Sequence, residues 1–402
     1  MGQAATSPFA SYGLGEQFGT GLTQNLGMGG TGIANGNYWY VNNMNPALLI
    51  YNRFTAFQAG IIGEQRTQIS ESLTEKSGSG NLNSLVLAIP IKPGKWTTSV
   101  ALMPYTRLNY RLKYTVPVPG SSNSVAVAET GTGGVNQLTL SNGVSINKKF
   151  SLGLKAAYLF SGPEAVYANT LTTASVLVIP AVYERASVSD FQFSPAFLFH
   201  TDSVFGKKYN FNFGVVYDFK TNLSARFYQR LQRLNSAGRQ IDSVTTINNK
   251  PTSISIPQSI AAGISFGKAN KWTTAIEGSY SEYASYRALD GGNPYQGTSW
   301  RLAAGFELTP DQQSLSSYLK RATYRTGVSI ENYPYLVNGN PVKDFGITFG
   351  LSLPVSRLSS IDVAVKVGKK GDKALNTIEE NYLKLYFGIT FIDQWFIKRR
   401  FD

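Results

Sequence analysis

The chain has 402 residues, of which 42% are apolar, 13% aromatic and only 15% charged, with 39 Gly, 23 Tyr and 23 Phe. A soluble chain normally carries about a quarter charged residues; the hydrophobicity excludes a disordered chain, and no apolar run approaches the roughly 20 residues of a spanning helix. With no Cys and a single His, His200, disulfides, Cys-based metal sites and most histidine-dependent catalysis are excluded, and the net charge of +13 leaves polyanion binding to be decided by where the charges lie.

Met1-Gly2-Gln3 runs directly into Ser7-Pro8-Phe9 without the basic segment and apolar core of a secretory signal, so the chain reads as a mature or truncated start. From about Arg53 onward apolar and polar residues alternate with period two, the pattern of strands with one apolar face. Tyr209, Phe211, Phe213, Val215 and Tyr217 oppose Asn210, Asn212, Gly214 and Asp218. Phe345, Ile347, Phe349, Leu351 and Leu353 oppose Gly346, Thr348, Gly350 and Ser352, and Leu383, Leu385, Phe387, Ile389 and Phe391 oppose Lys384, Tyr386, Gly388 and Thr390. Fourteen such segments are predicted, centred near residues 60, 87, 102, 140, 156, 195, 214, 260, 278, 304, 328, 348, 364 and 387.

The connections are read as alternating in length. Short turns are expected at Lys92-Pro93-Gly94-Lys95, Asn147-Lys148-Lys149, residues 202–208, Lys268-Ala269-Asn270-Lys271, residues 310–321 and residues 354–359; long polar loops are expected at 113–134, 161–187 and 220–253. Tight turns on one side and long loops on the other are the wiring of an outer-membrane β-barrel. An even strand count puts both termini on the short-turn, periplasmic side. Lys207, Lys208, Lys320, Arg321, Arg357, Lys398, Arg399 and Arg400 join the turn lysines there, and Trp96 and Trp272 follow two turns in matching Lys-Trp-Thr-Thr strings, with Trp395 near the last strand's end. Cations at a rim with indoles just inside describe a membrane interface, which accounts for the basic charge without nucleic acid.

Gly27-Met28-Gly29-Gly30 followed by Asn45-Pro46-Ala47 resembles the amino-terminal plug of the FadL family, outer-membrane channels for long-chain fatty acids and other hydrophobic compounds. Ile256-Pro257, Gly263, Trp272 and Tyr280, Tyr283, Tyr286 are similar to its central strands, and Tyr324-Arg325-Thr326-Gly327 with Tyr333 to its late ones. The ending Trp395-Phe396-Ile397-Lys398-Arg399-Arg400 is similar to a Bacteroidota-type branch. The resemblance implies an all-β, 14-stranded antiparallel transmembrane barrel (residues 51–402) whose lumen is closed by a plug (residues 1–50). It also implies sideways release of ligand through a gap at a kinked third strand. Pro104 lies in that strand, where its missing N–H breaks a ladder bond; a bulge or strand end is the alternative, and Pro195 in the sixth strand shows that proline need not mark a gate.

The polar parity of the strands carries Lys155, Asp218, Glu277, Arg301, Glu307, Arg325, Glu331, Asp362, Lys366 and Lys384. Arg or Lys facing lipid at mid-depth costs about 2–4 kcal/mol, so these residues are expected in the lumen. The numbers of Arg301 and Glu331 have the same sum as those of Glu307 and Arg325, which in an antiparallel pair places both couples directly opposite and predicts two cross-strand ion pairs. A wall-bracing role and a site for a substrate carboxylate are the two readings. No catalytic residue, metal ligand or cofactor is assigned. The glycines at 27, 29, 30 and 32 lack the strand and helix of a phosphate-binding loop and suit close backbone packing, while residues 225–236, with Arg226, Arg230 and Arg233 between apolar residues, are expected as an outer amphipathic helix. The expected partners are membrane lipid, lipopolysaccharide and a hydrophobic ligand. Two functions remain open: passive passage of hydrophobic molecules, and a non-transporting accessory subunit of an outer-membrane secretion or assembly complex.

Overall fold

The computed structural model describes residues 5–71, 73–171, 178–205, 209–288, 292–295, 297–356 and 358–393. Among them, fourteen antiparallel strands close into a barrel. They are β1 (Thr55–Ile69), β2 (Thr74–Lys92), β3 (Trp96–Pro104, resumed at Thr106–Pro117), β4 (Ser124–Ser145), β5 (Phe150–Leu171), β6 (Val178–Val204) and β7 (Tyr209–Asp218, resumed at Thr221–Asn235). There follow β8 (Gln240–Ile256, resumed at Ser259–Lys268), β9 (Trp272–Ser281), β10 (Ser299–Leu308), β11 (Thr323–Val337), β12 (Asn340–Pro354), β13 (Ser360–Lys370) and β14 (Glu379–Asp393). β14 pairs with β1 from Asp393 opposite Thr55 to Glu379 opposite Ile69, so the ladder has no terminal edge there. Every predicted strand centre falls in its strand, in order.

Lipid inverts the usual rule of apolar-inside. Phe345, Ile347, Phe349, Leu383, Leu385, Phe387 and Phe391 are exposed, whereas Thr348, Ser352, Asp362 and Thr390 on the opposite parity are buried. Both faces therefore follow from one alternation read against a solvent that is hydrocarbon outside and polar within.

Two expectations are corrected. Residues 113–134, 161–171, 178–187 and 220–253 are not irregular loops: they are the far ends of β3 to β8, which run beyond the apolar belt as paired strands, with short connections at 118–123 and 236–239. Where water wets both faces the alternation fades although β-branched residues such as Val125, Val127, Val182, Thr245 and Thr246 still favour strand. Residues 225–236 form no helix but lie in the upper half of β7, paired with β6 and β8. Buried positions there are odd at Leu223 and Ala225 and even at Gln232 and Leu234, and that change of phase mimics a helical period.

Candidate functional site

The interior is occupied by the amino-terminal segment. It carries a 3-10 turn at Pro8–Ser11, a two-residue strand at Glu16–Gln17, one helical turn at Thr23–Leu26 and a 3-10 turn at Pro46–Tyr51. Its apolar side chains pack on small wall residues: Leu22, Val41 and Leu49 on Ala56, Val86, Ala88 and Ala101, and Ile33, Leu48 and Ile50 on Ala196, Leu198 and Val216.

Asn45, Pro46 and Ala47 form a junction. The Asn45 side-chain oxygen accepts from the Ala47 N–H at 2.9 Å, capping the turn, while its amide donates to the Ile33 carbonyl at 2.8 Å and the Phe197 carbonyl of β6 at 3.3 Å. Pro46 takes the first helical position, where an N–H has no intrahelical partner. The glycines lie where backbone meets backbone. A Cβ on Gly27 would stand 2.9 Å from Cα of Gly350, and one on Gly29, whose φ is +72°, would stand 2.7 Å from the Val328 carbonyl. Gly30 faces the Arg301 guanidinium. The wall answers with its own glycines: a Cβ on Gly305 would meet Met28, on Gly327 the Gly29 N–H, and on Gly153 the Pro46–Ala47 peptide.

Charged wall residues grip the same segment. Glu277 accepts the Gly32 and Ile33 N–H groups at 2.7 and 2.9 Å and pairs with Arg301 at 3.1 Å, while Arg301 also donates to the Gly29 carbonyl. Arg301 stands opposite Glu331 in the β10–β11 register and Glu307 opposite Arg325. Only the second couple bonds as expected, at 2.7 Å. Arg301 turns instead to Glu277 on β9, because there it completes a clamp on two N–H groups and a carbonyl of the segment. Lys366 pairs with Asp344 at 3.4 Å, Lys384 with Glu64 at 3.3 Å and Lys155 with Asp218 at 3.7 Å. Asp362 accepts from Gln24 at 2.8 Å.

A second cluster escaped the sequence reading. Glu16 of the segment pairs with Arg66 of β1 and Lys370 of β13, both at 2.6 Å, and Arg66 also holds Glu64 at 2.7 Å and Glu380 of β14 at 3.2 Å. Lys370 further lies over the Tyr333 ring, 4.1 Å from its centroid. The available signal was the polar parity of Glu64, Arg66, Lys370 and Glu380; Glu16, outside any periodic segment, gave none. Between these networks lies a cavity of about 360 Å³, lined by Glu16, Arg66, Asp218, Glu331, Asp344 and Lys366 among others.

Pro104 ends the lower half of β3, opposite Asn136, and Tyr105 donates to the Val135 carbonyl at 2.9 Å. Past this break β3 pairs with β4 and, at Thr106 and Arg107, with the segment's strand, but not with β2. Residues 74–84 of β2 accordingly pair with β1 alone among the described residues. The segment borders both lips of this gap: Ser7 donates to the Asn109 carbonyl at 2.9 Å and Ser77 to the Thr6 carbonyl at 3.3 Å. Trp96 and Trp272 open β3 and β9 at the short-turn end, Trp96 being exposed with its indole donating to Asn142 at 3.1 Å. Trp395 lies outside the described residues, as do Lys207, Lys208, Arg357, Lys398, Arg399 and Arg400.

The family model BamG matches residues 1–402. No curated protein matches the chain. Among solved structures, the CymD monoaromatic hydrocarbon channel superposes with a TM-score of 0.58 at 14% identity, covering 94% of this chain and 98% of that one. A Pseudomonas aeruginosa FadL homologue gives 0.57 at 10% over 94% and 98%, and the Ralstonia pickettii toluene transporter TbuX 0.56 at 10% over 92% and 98%. At such identities the likeness is one of fold: the barrel is built as the hydrophobic-compound channels are.

Proposed function

The chain belongs to the BamG family, and from that premise we propose that it is a plugged outer-membrane barrel that serves as a subunit of an outer-membrane protein complex and not as an open conduit. Residues 1–50 are the plug, residues 51–402 the barrel, and both termini are periplasmic. Trp96 and Trp272 sit at the periplasmic interface, and phospholipid and lipopolysaccharide meet the apolar belt. The carboxy-terminal Trp395-Phe396-Ile397-Lys398 string supports a Bacteroidota-type branch.

The observation that carries this reading is the Glu16–Arg66–Lys370 cluster, which with the Arg301–Glu277 clamp ties the plug to β1, β9, β10 and β13. A hydrocarbon passing through would displace charged groups from their partners and leave them buried and unpaired, which costs several kcal/mol per ion. The cavity's lining mixes apolar and aromatic side chains such as Leu26, Ile33 and Tyr333 with ions such as Arg66, Asp344 and Lys366, more charge than the few polar groups of a usual small-molecule site. The family name also supports membership of a complex. No covalent chemistry is required.

A specific observation favours a second reading, passive passage of hydrophobic molecules. The β3 break after Pro104 leaves residues 74–84 of β2 without a β3 ladder among the described residues and supports a lateral exit. Gentle extraction of the native protein, followed by mass spectrometry of co-purifying proteins and lipids, separates the two. Stoichiometric outer-membrane proteins are expected; a lone barrel holding a fatty acid or other hydrophobe would replace the first reading with the second.

A further inference from the structure

At the short-turn end, a second cavity of about 490 Å³ opens between the plug and the turns that follow β8, β10 and β12. Lys268, Lys271 and Arg321 line it, and none of the three is ion-paired among the described residues. Its two carboxylates are already engaged within the barrel: Glu307 by Arg325, and Asp362 by Gln24, Thr390 and Ser360. Asp362 keeps its charge among these neutral donors, but the cations of the lining, Lys268, Lys271, Arg321 and Arg325, outnumber its carboxylates, so the cavity carries an excess of positive charge.

Its walls are aromatic and amide-rich. Trp39 donates its indole N–H to Asn270 at 3.2 Å, Tyr38 packs edge-on against Tyr51 with ring centroids 5.1 Å apart, and Trp272 closes the side. An exposed apolar ridge adjoins the mouth. Leu315 is fully exposed, and Leu319 and Val355 are more than half exposed. Tyr318 fixes this ridge to the rim: its hydroxyl donates to the Pro354 carbonyl at 3.0 Å, and the Arg321 guanidinium lies 5.2 Å from its ring centroid. Arg321 with the rings of Trp39, Tyr38 and Trp272 matches the aromatic and Arg anchors of protein docking sites, and the exposed leucines add apolar area beside them.

We infer that this cavity and ridge form a periplasmic docking site for an acidic segment of a partner protein, one that places carboxylates on Lys268, Lys271 and Arg321 and apolar side chains on Leu315, Leu319 and Val355. The inference rests on the complex-subunit reading and on the short-turn end facing the periplasm. Charge complementarity selects the occupant, since an uncharged apolar segment would leave the three cations partly desolvated without partners.

The test uses the full chain in detergent micelles and a fluorescein-labelled peptide of alternating Glu and Leu, with a Lys–Leu peptide as control, read by anisotropy. The Glu–Leu peptide is expected to bind, to weaken with added salt, and to lose roughly tenfold or more in affinity when Lys268→Glu, Lys271→Glu and Arg321→Glu are combined. The milder Lys268→Gln, Lys271→Gln and Arg321→Gln set is expected to fall between, with heat-modifiable gel mobility showing that both variants keep the barrel. Equal binding of both peptides, or unchanged affinity in the variants, would overturn the proposal. So would charge reversal that abolishes association with phosphatidylglycerol vesicles and leaves peptide binding intact, which would identify a lipid headgroup. Co-purifying partners retained by the charge-reversed protein would remove this site and leave the complex reading standing. Peptide binding lost on reversal in a protein that extracts as a lone barrel would do the opposite.

Discussion

Gly327 projects no side chain where the backbone of Gly29 approaches, and Gly305 yields the same space to Met28. Gly327→Leu is therefore expected to push the plug off β11 while the strand ladder persists, making residues 20–35 protease-sensitive in a barrel that stays heat-modifiable. Gly63→Leu is the control, because nothing lies within 4 Å of a Cβ there. Arg66 poses the complementary case. Its side chain is 3% exposed and serves three carboxylates, so Arg66→Met removes the ion-pair partner of buried Glu380 and leaves Glu16 and Glu64 to Lys370 and Lys384 alone, and is expected to cost about 3–5 kcal/mol in urea unfolding. Arg185→Met, which breaks an exposed pair with Glu164, should cost about 1 kcal/mol or less. The charged wall residues were legible in the sequence because lipid forbids them the other face, and the Arg301–Glu331 register followed from residue numbers alone. The bond Arg301 makes did not follow, since a register fixes neighbours on two strands and says nothing of a third or of the plug.

Among the elements, β3 is divided by Pro104, and its upper half departs from β2. Amide hydrogen exchange should show this directly. Alternate N–H groups in residues 74–84, Asn81 apart, point away from β1 toward the gap and are expected to exchange quickly, whereas Val363, Val365 and Val367 of β13, paired on both sides, are expected to be protected. Uniform protection across 74–84 would mean that another segment completes the ladder. The fourteen strands could be placed from sequence because one solvent-like phase wets each face of the membrane belt. Beyond the belt both faces are wet, so β3 to β8 read as loops although they continue as paired strands. In β7 the shift of buried positions between Ala225 and Gln232 gave an apolar spacing that a helix would also give.

Taken whole, the molecule pairs a closed barrel with an interior segment held by the ion pairs of Glu16 and by hydrogen bonds to Glu277 and Arg301. Lys268, Lys271 and Arg321 are part of the cationic excess and edge a cavity at the short-turn end; composition revealed the excess, and only the fold brought these residues to one mouth. The attachment of the amino-terminal segment through Glu16 could not be anticipated, because that residue belongs to no periodic pattern. The central claim, that this barrel does not conduct hydrophobic molecules, is tested most directly by uptake of radiolabelled oleate in cells deleted for their own hydrophobic-compound channel and carrying this chain folded in the outer membrane. The expected uptake equals that of cells with the empty vector. Saturable uptake well above that level would contradict the account and make the barrel a channel.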